Sequence, residues 1–463
     1  MVFSSSIFLF GFLPITFLLY FVVFRKSRLW QNILLFAVSL FFYAWGEPFF
    51  VLILLLSIAF SWLCGVMIDK TRGRGYDKLW LIFGIIFNII ILFTFKYLNF
   101  FADNISKLLH ISSIIPTIAL PIGISFFTFQ AMSYIIDVYR EKKPSQKNPL
   151  FVGLYIAFFP QLIAGPIVRY ETIAEQIQNR KESFDLFSDG VFRFVYGLGK
   201  KVVLANSFAI IADFAFGMTT PTFSMAWLGA IAYSLQILFD FSGYSDMAIG
   251  LGKMFGFQFE ENFNRPYLAS SISDFWRRWH ISMGTWFRDY VYFPLGGSRV
   301  KKPRMIFNLF VVWLLTGLWH GSNWTFIAWG LFYFIFIGLE KLTNLEKKKF
   351  PKFLGHIYTL LLVLIGWVLF RSDSISYAFT YLKSMLLASE DGWSTTLIYL
   401  KENWAVLLVG VLACLPLDIW LGKLIKNDNV KLTVRSFFII LVFIVSVTYV
   451  VKGTYNPFIY FNF

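Results

Sequence analysis

The chain has 463 residues, of which 58% are hydrophobic and 14% charged, and 41 Lys and Arg against 26 Asp and Glu give a net charge of +15. A soluble domain carries roughly 25% charged residues, whereas Ile7 to Phe24, Val51 to Cys64 and Phe437 to Val451 carry no charge at all. Runs of this kind approach the roughly 20 apolar residues that cross a hydrocarbon core, which excludes a soluble globular protein, and their lack of alternation excludes an outer-membrane barrel, so the chain reads as an all-α, polytopic membrane protein.

Ile7 to Phe24 is the first apolar run, followed by the basic cluster Arg25-Lys26-Ser27-Arg28. A signal peptide carries its basic residues in front of the apolar core, so the first helix is expected to be retained, with its N-terminus outside and Arg25 inside. Trp30 to Trp45 then leads out to Gly46-Glu47-Pro48, Phe49 to Ile68 returns to the basic loop Asp69 to Lys78, and Leu79 to Phe95 leads out again. Ile114 to Ile136, bent or broken near its start by Pro116 and Pro121, returns to the basic stretch Asp137 to Lys147. Leu150 to Ala164 is a further, doubtful span, and Arg169 to Asp189 is the longest polar stretch, too short for a soluble domain.

Val191 to Phe216 and Ala226 to Leu251 read as helices, Gly252 to Arg304 holds no long apolar run, and Met305 to Trp319 and Trp324 to Leu339 are short ones. Ile357 to Phe370, Trp404 to Trp420 and Ser436 to Val451 complete a count of about 11 spanning helices. With no internal repeat and no low-complexity linker, residues 1–463 read as one domain. The positive charge sits in short loops, Lys347 to Lys352 among them, so it marks the cytoplasmic face rather than nucleic-acid binding. The two cysteines, Cys64 and Cys414, form no CxxC pair, which leaves neither a disulfide framework nor a zinc knuckle.

Two places carry chemistry. In Ser273 to Tyr290, Trp276, Trp279, His280, Met283, Trp286, Phe287 and Tyr290 recur in steps of three and four, which predicts a single helix with one aromatic stripe and Ser271 or Ser273 as its N-cap. Arg277 and Arg288 lie just off that stripe. The bland reading is an interfacial helix with a packed histidine; the functional one is a polar ring lining a passage. The second place is LTGLWHGSNWTF, Leu315 to Phe326, where His320 interrupts two short apolar runs. A break at membrane depth needs burial in protein or a wet cavity, and an ionisable residue there is a functional candidate against the alternative of an ordinary interfacial loop. Burial among Trp313, Trp319 and Trp324 is expected to keep the ring neutral and able to take a proton from a hydroxyl. Ser322 and Asn323 are expected to orient it or hold an oxyanion.

Other machinery is missing. Gly243-Tyr244-Ser245-Asp246-Met247 is not a GxSxG elbow, Gly197-Leu198-Gly199-Lys200 is too short for a phosphate loop, and His110, His280, His320 and His356 have no metal-ligand spacing. No metal is therefore expected.

Gly243 to Gly297, with DFWRRWHIS and WFRDYVYFPLGG, followed by LTGLWHGSNW, resembles the membrane-bound O-acyltransferases, in particular the bacterial branch that O-acetylates alginate and other cell-surface polysaccharides or peptidoglycan. The opening MVFSSSIFLFGFLP, the segment FPQLIAGPIVRY and the closing FIYFNF are similar to that branch as well. The resemblance implies a ring of helices around a thinned centre, with a tunnel joining a cytosolic donor to an outside acceptor. It implies that His320 is the catalytic histidine and His280 the second motif histidine, and Trp276, Trp279, Trp319, Ser322 and Asn323 are the tunnel candidates. It further implies acetyl-CoA or another thioester as donor substrate, a secreted partner transferase, a cell-surface polysaccharide outside, and the bacterial cytoplasmic membrane as location. D-Alanyl transfer from a carrier protein to teichoic acid is the alternative within the family, with basic loops such as Arg299 to Arg304 as a docking surface. An acyl or lipid transporter and a structural scaffold are the alternatives outside it.

Overall fold

The computed structural model describes residues 1–112, 115–345, 351–387, 393–453, 457 and 459. Ile114, most of the basic loop Lys347 to Lys352, and all of Phe458 to Phe463 except Ile459 lie outside the described residues. No strand occurs among the described residues. In chain order the main helices are α1 (Phe8–Val23), α2 (Arg28–Ala44), α3 (Val51–Thr71), α4 (Asp77–Leu109), α5 (Ile124–Tyr139), α6 (Pro149–Ala157), α7 (Phe184–Gly217) and α8 (Phe223–Met254). They continue with the short α9 (Ile272–Arg278) and α10 (Ile281–Phe287), then α11 (Lys302–His320), α12 (Trp324–Thr343), α13 (Lys352–Arg371), α14 (Ile375–Ser384), α15 (Ser394–Ala413) and α16 (Asp428–Lys452). Eight of these, α3, α4, α7, α8, α12, α13, α15 and α16, are long and apolar enough to cross a membrane; α1 and α2 are shorter apolar helices. Large side chains stay exposed on them, Leu52 on α3 at 65% and Phe437 on α16 at 69% among them, as suits helices bathed in hydrocarbon. The protein is thus an all-α, multi-pass integral membrane protein.

Local chemistry moves several expected boundaries. α5 starts at Ile124, because Pro116 and Pro121 precede it and Gly123 turns the chain with φ +77°. A Cβ at Gly123 would lie 2.9 Å from the Leu162 carbonyl oxygen, so glycine is required twice over. α6 has nine residues, about 13.5 Å of helix, and does not span by itself. α15 ends at Ala413, ahead of Pro416, and the next helix, Leu417–Leu424, is separate.

Backbone contacts fall into two compact units, Met1–Phe194 with Ser245–Glu260, and Val195–Tyr244 with Glu261–Phe463. In the first, α5 packs on α3 and α4 through small residues: a Cβ at Gly65 would meet the Tyr134 ring at 2.5 Å and one at Gly84 would meet Ile135 at 2.7 Å. Asn88 on α4 accepts from Ser57 of α3 at 2.9 Å, an interhelical hydrogen bond of the kind that holds helices together where no water competes. The same unit buries a polar network. Arg28 binds the Glu182 carboxylate, with one contact of 2.9 Å, while Arg180 donates to the Tyr20 hydroxyl at 3.1 Å and to Asn32 at 2.7 Å.

In the second unit α11 and α12 form an antiparallel hairpin that touches backbone to backbone. A Cβ at Gly317 would lie 2.5 Å from the Phe326 carbonyl oxygen, and one at Gly330 would lie 2.5 Å from that of Trp313. This small-on-small crossing fixes where α11 ends, and hence where His320 sits. Lys201 of α7 and Asp240 of α8 pair at 2.7 Å; Asp240 also accepts from the Ile459 N–H at 2.9 Å, and Lys201 donates to the Pro457 carbonyl.

Candidate functional site

Both histidines of the sequence reading lie in the second unit, and both are buried. His320 is the last residue of α11. Its imidazole is boxed by Trp319 at 5.0 Å, Trp329 at 4.9 Å and Phe370 at 5.2 Å, all nearly edge-on by ring centroid. The expected wall of Trp313, Trp319 and Trp324 is therefore only partly right: Trp324 is 54% exposed. Trp329 of α12 and Phe370 of α13 stand there instead, brought in by packing between helices that a local pattern does not record. The helices flanking His320 are also longer than the apolar runs implied, 19 and 20 residues. Lys302, Pro303 and Arg304 form the first turn of α11 and Glu340 to Thr343 the last of α12. Both reach about the length of a full span, so length gives no reason to put the turn at mid-depth.

Of the two polar residues of that turn, Asn323 is committed elsewhere. Asn323 caps α12, its Oδ1 accepting from the Thr325 N–H at 3.1 Å while its amide donates to the Asp373 carbonyl at 3.0 Å. The expectation that Asn323 orients His320 or holds an oxyanion gives way to this capping role. Ser322 is half-buried in the same turn.

The single helix expected over Ser273 to Tyr290 is broken at Trp279 and His280. α9 ends at Arg278, Trp279 is extended, His280 adopts a left-handed backbone with φ +46° and ψ +52°, and α10 begins at Ile281. The cause is a segment further up the chain. Asn264 N–H donates to the Arg278 carbonyl at 2.9 Å and Ile281 N–H to the Asn262 carbonyl at 3.0 Å, so these groups bond outside the helix. The aromatic stripe is split accordingly. Trp279 packs on Trp367 at 4.9 Å, whereas Trp276 faces Trp313 at 4.9 Å, Tyr333 at 4.9 Å and Trp329 at 5.4 Å. Ser271, not Ser273, is the N-cap of α9, accepting from the Asp274 N–H at 3.0 Å.

α9 is pinned from outside. Glu340 of α12, 2% exposed, accepts from the N–H groups of Ile272 and Ser273 at 2.7 and 2.8 Å, and His356 donates to the Ala269 carbonyl at 2.9 Å. Pattern reading missed Glu340 because it looks like the ordinary charged end of an apolar run.

His280 lies outside the spanning helices and is fully buried; burial pushes its imidazole down to about 3, so the ring is neutral. The edge of Phe241 lies against it at 4.6 Å and Trp319 at 5.8 Å. Trp319 thus stands between the two histidines, and the ring chain continues from His320 through Trp329 to Trp276. Trp276 lines a cavity of about 380 Å³ whose wall also includes Ser273, Trp313, Arg277, Arg288 and Lys341. Three cations and no carboxylate occur among its described lining residues. The His320 imidazole thus lies two aromatic rings away from a chamber whose cations suit a molecule with an anionic part. Among the described residues no group of three or more His, Cys, Asp and Glu is placed to hold a metal.

The model of the MBOAT, membrane-bound O-acyltransferase family, matches residues 124–374. The chain is 44% identical over 384 residues to the probable alginate O-acetylase AlgI of Pseudomonas syringae pv. tomato, covering 82% of this chain and 74% of that one. It is 38% identical to the peptidoglycan O-acetyltransferase of Helicobacter pylori, over 83% of this chain and 80% of the relative. Similarity to the teichoic acid D-alanyltransferase of Bacillus subtilis is lower, 31% over 53% of this chain and 65% of the relative.

Proposed function

Since this chain belongs to the membrane-bound O-acyltransferase family, we propose that it takes an acetyl group from a cytosolic thioester and delivers it across the membrane for O-acetylation of a cell-surface polysaccharide. The chain is an O-acyltransferase. The observation that carries it is the placement of His320 and His280 in one buried aromatic cluster that runs on to a cation-lined cavity.

In this reading the donor is acetyl-CoA or another short acyl thioester, its phosphates drawn to Arg277, Arg288 and Lys341 and its acyl end directed along Trp276 and Trp329 to His320. An acceptor hydroxyl arrives from the opposite face of the bacterial cytoplasmic membrane. His320 takes the hydroxyl proton as the new C–O bond forms. The C–S bond then breaks, and the same proton passes to the leaving thiolate. His280 shapes the site from the other side of Trp319. The N-terminus lies outside, the basic loops face the donor, and a secreted or membrane-anchored transferase passes the acetyl group on to the polymer. Acetyl transfer is preferred to D-alanyl transfer because the O-acetylating relatives match over more of the chain and at higher identity.

The direct test is to incubate the purified, liposome-reconstituted protein with labelled acetyl-CoA and a polysaccharide acceptor. Label is expected on the acceptor or released as acetate. A protein that carries label across the bilayer without breaking the thioester would be a transporter, and the enzymatic reading would fall.

A further inference from the structure

The two ring nitrogens of His280 are in unlike situations. Nδ1 lies 3.2 Å from Oδ1 of Asn262. Nε2 is buried with no hydrogen-bond partner among the described residues. Which amide atom of Asn262 is the oxygen is decided by a third group. The backbone N–H of Ser282 meets that same atom at 3.1 Å, and a backbone N–H can only donate. The atom it meets must accept, and in a primary amide only the oxygen does. The Ser282 hydroxyl donates to it as well, at 2.8 Å.

An amide oxygen has no proton to give. In the short contact with Asn262, Nδ1 of His280 must therefore be the protonated nitrogen, and in a neutral imidazole Nε2 then carries the lone pair. We infer that Asn262 is a positioning residue that locks His280 in its Nδ1–H tautomer, so that Nε2 can receive a proton or a hydrogen bond but cannot give one. The local backbone serves the same end. The paired segments around Asn262 and His280 hold the histidine in its left-handed turn, so the ring does not swing away from the amide. Whatever reacting group meets Nε2 has to be an O–H or N–H donor. The catalytic meaning of this lock rests on the acyl-transfer reading above; the lock itself does not.

Nitrogen-15 NMR of the full chain, labelled at histidine and held in lipid nanodiscs, tests it without substrate. The chain has only four histidines, and the spectrum of H280Q identifies the signals of residue 280. In the wild type, Nδ1 is expected to be of the protonated, pyrrole type and Nε2 of the unprotonated, pyridine type. N262D keeps an acceptor in place and is expected to keep this pattern. N262A is expected to release it, with Nε2–H populated and kcat reduced by roughly 10²-fold, the lower end of what a positioned acid–base group contributes, at little change in KM for the thioester. A wild-type spectrum with Nε2 protonated overturns the proposal, as does N262A retaining both the Nδ1–H pattern and its kcat. Should N262A fail to fold, the wild-type and N262D spectra still decide. Loss of the acyl-transfer reading would leave the spectra unaffected, so the two can fail separately.

Discussion

Lys201 and Asp240 form an ion pair 2.7 Å long whose side chains are 3% and 2% exposed. Such pairs are weak evidence of net stabilisation, since desolvating both charges offsets their attraction, but removing one partner strands the other. K201M is therefore expected to cost about 3–5 kcal/mol of stability, seen as a large fall in the thermal unfolding midpoint in detergent. The double variant K201M/D240L should recover most of that loss. It would still lack the contacts to Pro457 and Ile459, so looser anchoring of these two residues, read by limited proteolysis, should persist in it.

Replacing His320 by alanine should lower acetyl transfer by about 10²–10⁴-fold, the usual worth of a positioned general base, while size-exclusion profile and unfolding midpoint stay close to wild type. Transfer at the wild-type rate would remove His320 from the mechanism. H280A should also lose activity strongly, though less completely; full activity in that variant would reduce His280 to a packing residue.

At Gly321 an added Cβ would overlap the Phe326 ring, and Phe326 packs on Phe370 at 5.0 Å, which in turn faces His320. G321A should insert into membranes normally yet show transfer reduced by about 10²-fold, the scale of a misplacement of about 1 Å at a catalytic group. Steady-state kinetics on purified protein would read this, and an unchanged kcat would mean that the turn yields without disturbing the ring.

E340A removes the acceptor of two buried N–H groups at the start of α9. Each group left unsatisfied costs about 1–3 kcal/mol, so α9 is expected to fray first. Hydrogen exchange at Ile272 and Ser273 should rise well above wild type, with KM for the thioester increased because Trp276 and Arg277 belong to the same helix and line the cavity.

Glu182 supplies the pH dependence. Burial alone would push its carboxyl up, but hydrogen bonds from Arg28 and Tyr20 outweigh that and hold it below its ordinary value of 4.5. A depressed folded-state value gives stability that is present above 4.5 and lost as pH falls through the folded-state value. The unfolding midpoint of the wild type should therefore drop on acidification below 4.5, and E182Q should start lower and flatten that part of the profile.

Much of the architecture was legible in the residues because lipid imposes a simple rule: a long apolar run such as Val51 to Ile68 becomes helix, and the prolines before Ile124 delay one. His320 was legible for the same reason, as a polar residue where apolar ones are expected. What surrounds it was not, since Trp329 and Phe370 arrive through helix packing. The aromatic stripe of Ser273 to Tyr290 misled in an instructive way. Steps of three and four are what a helix needs, but Asn262 and Asn264 compete for the same backbone groups, and that competition between distant segments leaves no mark on local periodicity.

The left-handed backbone at His280 bears on how this enzyme is dissected and how it can diverge. An L-residue with a β-carbon pays roughly 1–2 kcal/mol to sit there, while glycine and, to a lesser degree, asparagine or aspartate are at ease. Alanine scanning at this position removes an imidazole and keeps the conformational penalty, so its result mixes chemistry with chain path. Asparagine keeps the bend, relaxes the penalty and still offers a polar tip. The difference between alanine and glycine, neither of which has a polar tip, measures the bend, and among polar residues asparagine is an occupant that drift would reach at low conformational cost.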